Sequence, residues 1–493
     1  MELWAVLTLV LILLLSFRIV WKAQWWKEKC HFPPGPTPLP FIGNLLQIRL
    51  NDMVNSLMKL HKKYGSLYTL YLGPKQYVVL CGYETVKAAL IDSGDALNDR
   101  GHYPLFSNFT KCNEMAFSNG EKWKQLRRFA VSVLGQFGMG KGTMEDRIQE
   151  EVQFLIKFFR ETKGAPVDPE FCMSRSLSNI ISSTLFGSRF DYEDKEFEKL
   201  VHCVQDTFQA MSSTCGTLYH IFPDIMEWIP GPHIQLFKDF GKLASFISEK
   251  AKKNQETLDP NCARDYIDSF LIKMEQEKTN PITVFNWDTL VMTTLILFHG
   301  SIETVSTTLR FGFIHLMKNP KIQEMVQEEI DRVIGRNQSP TLNHKKQMPY
   351  TKAVIHEIQR CGDVIPLALT HSAAADVEIC GYKFPKGTAF IPLLTSVHFD
   401  PTQYKNPYIF DPRNFLDENG CFRLNPALMP FSAGKRICPG ENLASMDLFI
   451  YLTTILQNFT LKPLTSPEEL DARPIGIFLG NIPRPYKFSL IPR

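Results

Sequence analysis

The chain has 493 residues, is 44% hydrophobic and carries a formal net charge of +3. That length and apolar content suffice for a large core, as one big helical domain or several smaller ones. The near-balanced charge gives no signal for a nucleic-acid partner. Eleven cysteines, an odd number without a C-x-x-C pair, fit reduced thiols facing the cytosol rather than a disulfide framework.

The first element is an apolar run, "LWAVLTLVLILLLSF" (Leu3 to Phe17), resumed by "IVW" after Arg18. With Arg18 snorkelling, Leu3 to Trp21 is nearly long enough to span a bilayer. Trp4, Trp21, Trp25 and Trp26 suit its interfaces. Lys22, Lys27 and Lys29 place positive charge on the C-terminal side, so the bulk of the chain is expected in the cytosol. A cleaved signal peptide would want a basic start and small residues at a cleavage site; only Glu2 precedes the run, and "KAQWWKEK" follows it. Residues 1–29 therefore read as an uncleaved anchor. Residues 30–44, with "HFPPGPTPLPFIGN", read as a stiff proline-rich linker. Residues 45–493 form the globular part.

Within it, "DMVNSLMKLHKKYG", "GEKWKQLRRFAVSVL", "EDRIQEEVQFLIKFFRET", "GKLASFISEKAKKNQETL", "ARDYIDSFLIKMEQEK" and "NPKIQEMVQEEIDRVIG" carry apolar residues at three- and four-residue spacing, which predicts helices. "SLYTLYL" and "YVVLCG" predict strands, as do "ICGYKFPKGTAFIPLL" and "IPRPYKFSLIP" beyond residue 380. The fold expected is mainly α with small β-sheets. "GQFGMGKGT" (Gly135 to Thr143) has the glycines and lysine of a phosphate loop. It lacks the Ser or Thr after the lysine and follows a helical pattern rather than a strand, so it reads as a helix-ending loop. Asn108-Phe109-Thr110 and Asn458-Phe459-Thr460 match the glycosylation sequon, but a cytosolic domain leaves both unmodified.

The chemistry concentrates at "PFSAGKRICPGENLA", residues 430–444. Cations and backbone N–H groups stabilise a thiolate at Cys438. Gly434 and Gly440 let the backbone approach a flat group. Arg436 can pair with a carboxylate of that group. "ENLASMDLFIYLTTILQNF" predicts a long amphipathic helix whose positive N-terminal end faces the sulfur. A single thiolate without protein partners suits a metal held in a macrocycle, as in haem. A structural cysteine in a turn before a helix fits these local residues equally.

"FSAGKRICPG" resembles the haem-thiolate signature of the cytochrome P-450 superfamily, F-x-x-G-x-R-x-C-x-G, at Phe431, Gly434, Arg436, Cys438 and Gly440. "HEIQR" resembles its E-x-x-R at Glu357 and Arg360, "FDPRNF" supplies Arg413, and "WKQLR" resembles W-x-x-x-R at Trp123 and Arg127. "ETVSTTLRFGF", "MPYTKAVIHEIQRCGDVIPLAL" and "LDPNCARDYIDSFLIKM" look like family 2, near its coumarin-hydroxylase-like branch, and the likeness runs over essentially the whole chain.

The resemblance implies the P-450 fold behind one N-terminal transmembrane helix, haem b as cofactor, and Cys438 as the iron ligand. It implies Arg100, Trp123, Arg127, His371 and Arg436 as partners of the haem propionates, with Phe431 beside the thiolate. Glu357, Arg360 and Arg413 would form a buried ion-paired set that holds the fold. The distal helix of the family carries A-G-x-[DE]-T-[TS]; here it reads "GSIETV". Glu303 and Thr304, the implied proton donors, are kept, while Gly300 replaces Ala, Ser301 replaces Gly and Val305 replaces the last hydroxyl. A distorted turn with a groove for oxygen is expected there.

The activity implied is monooxygenation of small apolar molecules such as xenobiotics, steroids, fatty acids or odorants. Electrons would come from NADPH-cytochrome P-450 reductase, with cytochrome b5 as a further donor, on the endoplasmic reticulum membrane and its lipid. Lys122, Lys124, Arg128 and Lys435 would form a basic reductase-facing surface, or simply solvated helix faces. Substrate candidates are Phe106, Phe109, Phe117, Phe208, Phe298, Gly300, Ser301, Ile365, Leu369 and Phe478, each of which ordinary core packing would also explain. A haem-binding sensor or electron carrier, and a haem-thiolate isomerase, are the alternatives. The Glu303–Thr304 pair argues against the first, and reductase-dependent turnover separates the second.

Overall fold

The computed structural model describes residues 32–139, 142–475 and 479–493. The anchor expected over residues 1–29 lies outside them, as does Phe478. The fold is mainly helical, 54% helix and 10% strand. The helical patterns form Met53–Tyr64, Gly120–Gln136, Gly142–Glu161, Pro232–Glu256, Tyr266–Gln276 and Pro320–Val333. Each buries a stripe: Gly142–Glu161 hides Met144, Ile148, Val152, Leu155, Ile156 and Phe159. A fully buried Leu or Ile there contributes about 2 kcal/mol. Because Gly120–Gln136 is a helix, the glycine-rich segment after it has no strand to make it a phosphate loop.

Two helices form the interior. The central helix, Trp287–Lys318, starts at a reciprocal cap. The Asn286 side chain accepts from Thr289 N–H at 3.0 Å, and the Thr289 hydroxyl accepts from Asn286 N–H at 2.9 Å. It packs on Pro169–Leu185, Pro232–Glu256, Pro349–Gly362 and Glu441–Asn458. Glu441–Asn458 differs from the expected amphipathic helix, since every residue from Met446 to Gln457 is buried. Neighbours cover all its faces, and polar side chains bond inside the protein: Thr453 to Phe449 O at 2.6 Å, and Gln457 to Gly335 O and Gln338 O at 2.6 and 2.8 Å.

The expected strands form β1 (Leu67–Leu72), β2 (Lys75–Cys81), β5 (Val377–Ile379), β6 (Tyr382–Phe384), β7 (Ala389–Leu393) and β9 (Phe488–Pro492). Two-residue strands β3 (Asp99–Arg100) and β4 (His371–Ser372) join a five-stranded sheet of order β1-β2-β7-β4-β3. The β3–β4 register sets Arg100 opposite His371. β8 (Phe459–Pro463) pairs with β9, and β5 with β6. The proline-rich segment lies along β1. Thr69 binds Pro34 O through its amide and Pro33 O through its hydroxyl, and Tyr71 N–H donates to Asn44 Oδ1 at 2.7 Å. A Cβ on Gly35 would meet Thr69 O at 2.0 Å.

The buried ion pair is Glu357 with Arg360, joined at 2.6 and 2.8 Å with neither side chain exposed. Arg360 also donates to the carbonyls of His398, Pro407 and Ile409. Arg413 is not the third member. Its side chain is 83% exposed and pairs with Asp411 at 2.6 Å. Arg360 occupies both carboxylate oxygens of Glu357, and Asp411 N–H and Asn414 Nδ2 complete their hydrogen bonding. That leaves no acceptor for a second guanidinium.

Candidate functional site

A largely apolar cavity lies between the central helix, the segment Pro430–Gly440, the start of Glu441–Asn458 and the helix carrying Trp123 and Arg127. Cys438 faces it from a loop shaped by its glycines. Gly434 has φ +74°, and a Cβ there would strike Leu90 O at 1.8 Å. Cys438 N–H donates to Phe431 O at 3.1 Å, and Gly440 N–H points at Sγ at 3.4 Å. The sulfur opens to the cavity but lies deep in the protein. Burial pushes its thiol up, while Gly440 N–H, Arg127 and Arg100 pull it back.

Arg100, Arg127 and Arg436 line one part of this cavity with Trp123. The Arg436 guanidinium lies 3.8 Å over the Trp123 ring. Its Nε donates to Asn98 O at 2.5 Å and Nη2 to Ser118 O at 2.8 Å, while Nη1 is buried without a partner among the described residues. Arg127 donates to Ile437 O at 2.6 Å. Arg100 donates to Leu369 O at 3.2 Å and to His371 Nε2 at 3.0 Å. His371 therefore accepts at Nε2 and donates from Nδ1 to Leu97 O at 2.8 Å. Burial and Arg100 push its pKa down to about 3, so it is neutral. With both nitrogens engaged and the ring off the cavity wall, His371 holds Arg100 in place rather than offering a donor to a ligand.

Burial pushes Arg100 down to about 10; burial, and then Arg100, push Arg436 down to about 8. Asp447 is the only acid among the described lining residues, and burial drives its carboxyl well above the usual carboxylate range. Three guanidiniums outnumber the acids behind them, Asp99 and Glu114, and are costly to bury. A dianionic group, with one carboxylate reaching Arg436 Nη1, relieves that cost. Across the cavity, a Cβ on Gly300 would meet nothing within 4 Å. Thiolate, cationic end and open turn together fit haem.

The central helix runs unbroken through Gly300–Val305. Ser301 Oγ donates to Leu297 O at 2.7 Å and Thr304 Oγ1 to Gly300 O at 2.8 Å, so the hydroxyls decorate a regular helix instead of a distorted turn. Both line the cavity. Glu303 faces the Pro169–Leu185 helix and accepts from Ser174 Oγ at 2.6 Å. Burial pushes its carboxyl up to about 7.

Phe106 and Phe117, stacked at 4.4 Å, line the cavity with Phe208, Ile365, Leu369 and Phe431. Phe109 and Phe298 do not; they pack on Phe240 at 5.3 Å and Phe186 at 5.7 Å. Ile296, Leu297, His299 and Thr308 also line the wall and escaped the sequence reading. Three- and four-residue steps from Gly300 and Ser301 reach Ile296, Leu297 and Thr304, and a further step reaches Thr308. His299 is signalled by a polar ring within an apolar run.

The Cytochrome P450 family model matches residues 33–490. Cytochrome P450 2F2 of Rattus norvegicus is 53% identical, with 98% of each chain covered. Cytochrome P450 2F1 of Homo sapiens is 50% identical over 99% of each, and cytochrome P450 2A6 of Homo sapiens 49% over 98% of each. The match is continuous across the thiolate loop, the arginine end and the distal turn, and so the chain belongs to the cytochrome P450 family, among the oxygen-inserting enzymes of its family 2.

Proposed function

We propose that this monooxygenase inserts one oxygen atom from O2 into compact apolar organic molecules, using haem b. Its electrons come from NADPH through NADPH-cytochrome P-450 reductase, with cytochrome b5 as a second donor, at the endoplasmic reticulum membrane. One observation carries the reading: Cys438 Sγ, the Arg100–Arg127–Arg436 cluster and the open Gly300–Thr304 face converge on a single apolar cavity.

When bound, haem supplies the one-electron and oxygen chemistry, which no amino-acid side chain provides. Cys438 would hold its iron, with Gly440 N–H moderating the charge on sulfur. Arg100, Arg127 and Arg436 would take its carboxylates, Trp123 would support Arg436, and His371 would fix Arg100. The aromatic rings and Ile365, Leu369 and Leu479 would hold substrate and exclude water. Thr304 would pass protons at the cavity face. Glu303, near half-protonated at neutral pH, would serve as the proton reservoir behind it, held by Ser174. The N-terminal apolar run would anchor the chain.

Cys438→His tests this. The red-shifted carbon monoxide band of a thiolate-ligated ferrous haem is expected in the parent enzyme and absent in the variant. A variant that keeps the band removes Cys438 from the iron.

A further inference from the structure

His299 is a polar group in the wall of an apolar cavity, one residue before the open turn at Gly300. Its Nε2 lies 2.9 Å from Thr207 Oγ1. That hydroxyl is 2.7 Å from Cys203 O and 2.9 Å from Val204 O, the carbonyls one turn back on its own helix, Lys195–Met211. A hydroxyl has one proton. If Thr207 gave it to His299, two carbonyl oxygens would face bare lone pairs at those distances; if Thr207 donates to its own helix, its oxygen accepts from His299. His299 therefore carries its proton on Nε2. Burial pushes the imidazole down to about 4, so the ring is neutral. Nδ1 is left with its lone pair, and among the described residues no hydrogen bond engages it. Phe240 and Phe208 flank the ring, with centroids 5.8 and 6.4 Å away, and restrict its rotation.

The hydroxyls beside it follow the same logic. Ser301, Thr304 and Thr308 each donate to a carbonyl four residues back, at 2.7–2.8 Å, and in this resting arrangement each turns an acceptor oxygen to its surroundings. We infer that the central-helix wall is a surface of acceptors centred on His299 Nδ1, and that the site selects compact apolar molecules bearing one hydroxyl or N–H over isosteres whose only polar atom is a carbonyl. A donor finds a partner on this wall, whereas a carbonyl meets lone pairs and loses its hydration uncompensated. The inference rests on the monooxygenase reading of the cavity only in taking the Gly300 face as the place where substrate lies.

The test is calorimetric titration of the full-length haem-loaded enzyme with indan-5-ol, indane and indan-1-one, which share one carbon frame. Indan-5-ol is expected to bind about tenfold more tightly than indan-1-one. His299→Phe keeps a ring and removes the acceptor, and should bring the two within about twofold of each other. Thr207→Val frees the imidazole proton to move to Nδ1, and should shift the preference toward indan-1-one. Equal affinities in the parent enzyme overturn the inference, as does a preference that survives His299→Phe. A preference that responds to His299→Phe but not to Thr207→Val overturns the assigned tautomer and the acceptor wall with it. If His299→Phe fails to fold, the parent ratio and Thr207→Val still decide. The carbon monoxide band is recorded on each sample. Its absence in the parent enzyme tells against the haem-thiolate reading, while its presence with no ligand preference tells against this inference alone.

Discussion

At Thr304 the side chain does two things at once. Its hydroxyl donates to Gly300 O at 2.8 Å, and the same side chain lines the cavity. Ser301 repeats the arrangement one turn away from Leu297. If Thr304 moves protons to bound oxygen, Thr304→Ala should bind substrate and accept electrons normally yet waste them. Product formed per NADPH consumed should fall roughly tenfold, with hydrogen peroxide rising to match. Ser301→Gly, made alone and with Thr304→Ala, shows whether the second hydroxyl shares the task. Poor coupling only in the double variant would mean that it does, and unchanged coupling in all three would remove this face from the oxygen chemistry. A second contrast at this scale separates Glu357 from Arg413. Glu357→Ala leaves Arg360 buried without its anion and should cost about 3–5 kcal/mol in denaturant unfolding. Arg413→Ala breaks only an exposed pair with Asp411 and should leave the unfolding midpoint nearly unchanged. A comparable loss from both variants would restore Arg413 to the buried set.

Among the elements, the proline-rich segment behaves as part of the sheet's edge. Pro33, Pro34 and Asn44 are bonded to Thr69 and Tyr71 of β1, and Phe32 packs on Phe384 at 5.7 Å, so among the described residues the tie between segment and domain begins at residue 32. Deleting Met1 to Lys29 removes none of these contacts. The truncated protein should fold, load haem and give the same carbon monoxide band, while partitioning less into membranes on flotation. A haem-free truncation would mean that the anchor belongs to the fold. The helix Glu441–Asn458 shows where periodicity misleads. The segment carries Asp447, Tyr451, Thr453 and Gln457 among its apolar residues. Packing against Gly142–Glu161, Pro320–Val333 and the central helix hides them all. Tyr451, for one, bonds to Ser176 Oγ at 2.7 Å.

Under the proposed function an electron donor would dock on the surface beyond Cys438, and the charges expected there are unequal. Lys124 is paired with Glu121 at 2.7 Å, Lys435 with Asp95, and Lys122 donates to Asn113. Arg128 is exposed on the Gly120–Gln136 helix. An exposed ion pair projects a weaker field than a single cation. Arg128→Glu and Lys124→Glu each change the local charge by two units, so each should slow reductase-driven turnover several-fold, with the loss shrinking as salt is raised. Peroxide-driven turnover should be spared in both. Equal loss by the two routes would indicate damage to haem binding instead.

Sequence alone determined the features that rest on short-range chemistry. The thiolate loop was legible because Gly434, Arg436, Cys438 and Gly440 fall within seven residues, and Gly434 is demanded by its positive φ and its approach to Leu90 O. The amphipathic helices and the strands β1 and β2 were legible because each buries one repeating face. The tertiary structure decided whatever depends on which partner arrives first. Asn414 and Asp411 reached Glu357 where Arg413 was expected, and His371 turned to Arg100 instead of the cavity. Phe109 and Phe298 turned into the core. His299 acquired its tautomer from Thr207, a residue 92 positions away. A side chain's polarity is a local property, but its direction and the proton it carries are settled by neighbours that only folding supplies.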